Sequence, residues 1–288
     1  MLIIVINVRK KRESEISTLL RIFTNYLQLL TTSLSFNINY PDIFSDIFHY
    51  ASKIGLSTES MLSFDCFINN SEIKGPFPSS SIYKLFLIAL SPVILFLVVA
   101  LIWVMIYMIN SNWVPDLKRN LVISFISIMF LLHPGLAASS LSIFQCVTID
   151  EGISKVVIDT KMDCLSSEHI LWCFVIGFPI LVIWVTITPI IGLILLSRNI
   201  KKDDDNRIKQ FMLVLYQGLK SQRFYWEFVN TLRKVLILMS YALLITLPPA
   251  YRILVAVIIL MLTLRIQVIL SPYKDHDNNN AEILQLLA

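Results

Sequence analysis

Apolar and polar positions fall in long blocks along this chain, not at the short periods of a soluble helix or strand. A helix needs about 20 consecutive apolar residues to cross the ~30 Å hydrocarbon core of a bilayer. Residues 82–109 exceed that length, and their one charge, Lys84, lies near the start. Blocks at 121–144, 169–196, 224–247 and 251–270 are also long enough. The block 16–38 carries Arg21, Asn25 and Gln28. It fits either a crossing or an amphipathic helix lying in the interface, and it is assigned as a crossing. The pattern predicts an all-α membrane protein: a polytopic helical bundle of about six spans plus an incomplete C-terminal one. No repeat or Gly/Ser linker divides the chain, so 1–288 is read as a single transmembrane domain.

Breaks inside the blocks add detail. Pro92, Pro179, Pro189 and Gly192 predict bends, and His133-Pro134-Gly135 interrupts 121–144. The small residues Ala137–Ser140 read as a face for close helix packing. At the ends, the apolar residues 1–8 read as the tail of a span, and AEILQLLA at 281–288 as the first two turns of another. A short basic region followed by an apolar one is not the order seen, which argues against a cleavable signal peptide.

Composition excludes a soluble class. Hydrophobic residues make up 56% and charged residues only 15%, against about 25% charged in soluble domains. The net charge of +4 matters less than where the charges fall. With Arg9–Arg12 placed in the cytosol, alternation through the spans puts loops 39–81 and 145–168 outside and 197–223 inside. Sixteen of the 24 Lys and Arg then lie on the cytosolic side and six outside, with Arg21 and Arg265 inside spans. Such a bias is the positive-inside pattern. It predicts a multi-pass protein of the plasma membrane or a secretory-pathway membrane.

The cysteines agree with this orientation. Cys66, Cys146, Cys164 and Cys173 all fall outside or at the outer end of a span, where disulfides persist. Cys146–Cys164, within one loop, is the favoured bridge among three possible pairings. A zinc site is the rival reading, but no paired CxxC ligands support it. Asn69, in the N-x-S/T sequon Asn69-Asn70-Ser71, is an outer glycosylation candidate.

Chemistry-bearing residues gather at one shoulder, YQGLKSQRFYWEFVNTLRK at 216–234. Arg223, Glu227, Asn230 and Lys234 share one helical face, since offsets of three and four keep to one stripe. Either Lys234 snorkels to the headgroups with Glu227 neutralising it, or the face couples or conducts ions. His133 and Arg265 are the other ionisable groups within spans. His133 has no Ser, Asp or Glu nearby in sequence, and phosphate loops, HExxH and serine elbows are absent. The expectation is therefore no enzyme, no cofactor and no catalytic or metal residues. The basic residues follow topology, not a patch, so nucleic acid is excluded as a partner. The bilayer is the expected partner, with a second copy or other membrane subunits left open.

Eight short motifs run in order through almost the whole chain. They are TNYLQ at 24–28, SFDCF at 63–67, the loop from Cys146 to Cys164 running on to Trp172, and GFP at 177–179. YQGLK at 216–220, YWEFV at 225–229, LRK at 232–234 and SPYK at 271–274 complete the set. In this the chain resembles the TRP-like, or TRP C-terminal, membrane module of large cysteine-rich transmembrane proteins of ciliates and other protists. The resemblance implies a polytopic surface or organelle membrane protein, usually preceded by a cysteine-rich ectodomain with ephrin-receptor-like repeats. Its label implies an ion channel or channel-associated subunit. The alternative is a sensor, receptor-like or scaffold protein without conductance, and Leu247-Pro248-Pro249-Ala250 is too short for a re-entrant selectivity loop. The two readings separate on one point: a pore needs Glu227 and Asn230 to meet water, and a scaffold needs them buried.

Overall fold

The computed structural model describes residues 15–34, 79–111, 114, 116–150, 153–200 and 213–287. The basic cluster 9–12, the loop bearing Cys66 and Asn69, and residues 201–212 of the charged loop lie outside the described residues. The described residues form mostly helix. In chain order these are α1 Glu15–Leu34, α2 Ser80–Ile109, α3 Leu117–Ser142, α4 Ser167–Arg198, the single turn α5 Leu213–Tyr216, α6 Trp226–Leu243, α7 Pro249–Leu270 and α8 His276–Leu287. Four of them, α2, α3, α4 and α7, are long and apolar enough to cross a membrane. With 20 and 18 residues, α1 and α6 are also of spanning length. They are set apart by polarity: α1 carries Arg21, Asn25 and Gln28, and α6 carries Glu227, Arg233 and Lys234.

One expectation is corrected by the architecture. The fold is not wholly helical, because the segment after α3 folds into an antiparallel meander, β1 Cys146–Asp150, β2 Ile153–Val156 and β3 Asp159–Asp163. Val147, Thr148, Ile149, Ile153 and Val156 are β-branched and favour a pleated backbone. Val156 and Met162 turn into the core, while Lys155 and Asp163 pair across the ladder at 2.6 Å. The C-terminal residues, expected to open a further span, belong to α8. That helix begins at His276, packs on α1 and α7 and buries Asn278, Asn279 and Glu282.

Each helix takes its direction from identifiable contacts. Around Leu247-Pro248, α6 and α7 form an antiparallel hairpin whose far ends are tied by a backbone bridge between Leu219 and Tyr273. Lys220 N–H donates to Pro272 O, and Lys274 N–H to Gly218 O, each at 2.9 Å. Gly218 has a φ of +76°, which favours glycine, and a Cβ there would stand 2.7 Å from Thr18 of α1. Since Arg21 and Asn25 meet Glu227, and Gln28 meets Lys234, α1 runs parallel to α6. The sheet lies at the opposite end of the bundle, where Ser81 Oγ–H of α2 donates to Ile158 O at 2.7 Å.

Prolines interrupt the helices, and three of the carbonyls they release find side-chain partners. A helix-interior proline has no N–H for the carbonyl four residues back. Pro92 leaves Ile88 O, which accepts from Ser91 Oγ at 2.7 Å. Pro134 leaves Phe130 O, reached by Gln28 Nε2 of α1 at 3.4 Å, with Leu131 O at 3.2 Å. Pro189 leaves Val185 O, which meets His133 Nε2 of α3 at 3.1 Å. Pro179 and Pro189 each follow a wider, π-type turn of α4, Cys173–Gly177 and Leu181–Ile187. Such turns are frequent at bends and functional sites.

The interior divides along the bundle axis. Towards the sheet, Leu132, Leu136, Ala137 and Leu141 of α3 pack on Ile176 and Ile180 of α4 and on Leu238 and Ala242 of α6. Towards the Leu219–Tyr273 bridge, the buried residues are largely polar.

Candidate functional site

That polar interior is the candidate site, and α6 supplies its centre. Glu227, Asn230 and Lys234 follow one another at offsets of three and four, so one stripe of α6 presents all three. Arg21, Asn25 and Gln28 repeat the spacing on α1, and the two stripes face each other. Arg21 Nε stands 3.4 Å from Glu227 Oε2. Its guanidinium also donates to Gln217 O. Asn25 relays between opposite charges: Nδ2–H donates to Glu227 Oε1 at 3.0 Å, while Oδ1 accepts from Lys234 Nζ. Lys234 Nζ donates in addition to Gln28 Oε1 and lies 5.0 Å from the centre of the Phe130 ring. Two amide oxygens and an aromatic face thus replace the water an ammonium would otherwise hold.

A second group sits on the neighbouring face of α6. Glu282 of α8 accepts from Trp226 Nε1, 3.3 Å from each carboxylate oxygen, and pairs with Arg233 Nη1 at 3.9 Å. Trp226 and Tyr273 are fully buried beside Ile22 and Leu219. Burial pushes the Glu282 carboxyl above its ordinary value of 4.5, with Arg233 pulling the other way. Gln285 of the same helix donates to Ile22 O of α1 at 2.6 Å. Asn279 fastens the approach to α8, its side chain accepting from Tyr273 N–H at 3.1 Å and donating to Tyr273 O at 3.0 Å.

The structure assembles only part of the face read from sequence. Glu227, Asn230 and Lys234 are buried together, but Arg223 lies in the turn before α6 and donates to Tyr225 OH at 3.3 Å. Lys234 does not snorkel, being 1% exposed. Arg233 is buried too. Among the described residues, neither side-chain atom of Asn230 has a partner, nor has either of Gln267 on α7. An orphaned buried amide costs roughly 1–3 kcal/mol. His133 is the donor that serves Val185 O, and Arg265 is exposed on α7. The sequence missed α8 as a contributor, since nothing in its local pattern says that Glu282 turns inward.

Cys146 and Cys164 form a disulfide that closes the meander. Cys173 is a free, buried thiol. His169 lies close to the bridge, its ring nitrogen and both sulfurs within 4.8 Å of one another. The sulfurs are bonded together, and both His169 nitrogens are engaged, Nδ1 accepting from Leu165 N–H at 3.1 Å and Nε2 meeting Ile143 O at 2.8 Å. This set is organised to brace the start of α4. Cys66 and Asn69 lie outside the described residues.

A cavity of about 20 Å³ touches the polar interior, bordered by Ser17, Arg21, Ser127, Phe130 and Glu227. It has room for about one water molecule. The arrangement can neutralise charge and lock helices. No family model, curated protein or solved structure matches this chain.

Proposed function

We propose that the protein is a six-crossing membrane module of the sensor, receptor-like or scaffold kind. In this reading its intramembrane charges hold helices together and do not line an ion path. One observation carries it: Glu227, Asn230 and Lys234 are 2%, 0% and 1% exposed. A conducting face must meet water. The same packing favours six crossings over four. The bridge between Leu219 and Tyr273 holds the start of α6 level with the end of α7, so if α7 crosses, α6 crosses beside it. Parallel to α6 and paired along it, α1 follows. The disulfide-closed meander then faces outward, and the basic turns at 216–223 and 271–274 face the cytosol, as the positive-inside bias prefers. A multi-pass membrane protein is also what the TRP-like resemblance implies, and this reading leaves out the conductance its label suggests.

The test is whole-cell current from the chain at the cell surface, beside Glu227→Gln at matched surface level. Both should be silent. A current whose selectivity or conductance changes in Glu227→Gln would put that carboxylate on an ion path and transfer the assignment to a channel or channel subunit.

A further inference from the structure

A second recess lies where the bundle's basic end meets its apolar surface. Its volume is about 240 Å³, and Lys220, Lys274 and His276 border it together with Ser271, Asn280 and Val268. The backbone bridge explains the convergence of the two lysines. Leu219 and Tyr273 pair with their side chains buried, so Lys220 and Lys274, each one residue further on, project from the opposite face. Both lysines are exposed. Asp275 and Asp277 lie nearby in sequence but do not border the recess, and Asp275 Oδ1 accepts from the Asp277 N–H.

Its surroundings are apolar. The recess opens at the last turn of α7, a helix apolar enough to cross a membrane, and Val268 and Ile269 there are exposed. On α8, Ile283 borders it. Two exposed lysines that border one recess at the end of an apolar helix, with aliphatic side chains outward-facing on that helix's last turn, fit a phosphate at headgroup depth. We infer that this recess binds the phosphate of an anionic phospholipid headgroup. The inference does not depend on whether the protein conducts.

The test uses the purified full chain in neutral detergent, titrated with short-chain phosphatidylglycerol, whose charge is its phosphate alone. Short-chain phosphatidylcholine, inorganic phosphate, Lys220→Gln and Lys220→Gln/Lys274→Gln run beside it, with the ligand-free melting temperature of each variant as the check on folding. The expected result is a rise in melting temperature with phosphatidylglycerol, little with phosphatidylcholine, and binding weakened at least ~10-fold in the double variant and partly in Lys220→Gln. If inorganic phosphate stabilises equally and through the same lysines, the phosphate site stands and its source is a soluble anion. No stabilisation by either, or equal stabilisation of the double variant and of Lys155→Gln/Lys161→Gln at the sheet end, overturns the site.

Discussion

The two halves of this interior solve the same packing problem with opposite materials. Towards the sheet, α3, α4 and α6 meet through leucine, isoleucine and alanine. Towards the Leu219–Tyr273 bridge, α1, α6 and α8 meet through Arg21, Asn25, Glu227, Arg233, Lys234 and Glu282. Lipid tails are as apolar as leucine, so apolar contact in a bilayer gains mainly packing and little desolvation. Polar contact gains hydrogen bonds that lipid cannot supply. The apolar half tolerates many neighbours of similar shape. The polar half accepts one register, because sliding α1 by a turn would strand Lys234 and Glu227.

That difference predicts unequal losses. Truncating one partner of a buried ion pair leaves the other charge uncompensated, at roughly 3–5 kcal/mol. Glu227→Ala strands Arg21 and removes the acceptor of Asn25, so it should be the most damaging single change considered, read as a fall in unfolding free energy in mild detergent. Arg21→Met combined with Glu227→Leu should lose less than the sum of the two single changes. Additive losses would mean that the pair does not act as a unit.

In the apolar half the corresponding change is Leu136→Ala, at a position with no exposure. Buried leucines in water-soluble cores cost about 2–5 kcal/mol when truncated. Because the transfer component shrinks when the surroundings are hydrocarbon, the loss here should sit near the lower end of that range in the same assay. A loss as large as that of Glu227→Ala would erase the distinction between the halves.

Hydropathy shows which segments are helices, because lipid demands long uncharged runs, and the four strongest blocks reappear as α2, α3, α4 and α7. The stripe Glu227, Asn230 and Lys234 was visible in the same way, through helical spacing. What faces it was not. Arg21, Asn25 and Gln28 carry the same spacing, yet only their meeting with α6 makes them partners, and that contact spans about two hundred residues of sequence. Local pattern likewise could not distinguish a snorkelling Lys234 from one wrapped in amide oxygens, since both need a lysine near a span end. The meander at 146–163 was hidden by its polarity, although its β-branched residues carried the signal.

The smallest predicted effect concerns His133, where the two materials touch. Pro189 leaves Val185 O without a helical donor, and His133 Nε2 at 3.1 Å takes that place. Interhelical hydrogen bonds in membranes average about 0.6 kcal/mol in double-mutant cycles, with a maximum near 1.7. His133→Leu should cost an amount in that range. Pro189→Ala restores an N–H four residues beyond Val185, which should then be satisfied within α4. In that background His133→Leu should cost nearly nothing, so the cycle recovers the hydrogen bond as a coupling energy. Equal costs in both backgrounds would show that His133 stabilises by filling space, and the polar interior would then end at Lys234 and not extend to α4.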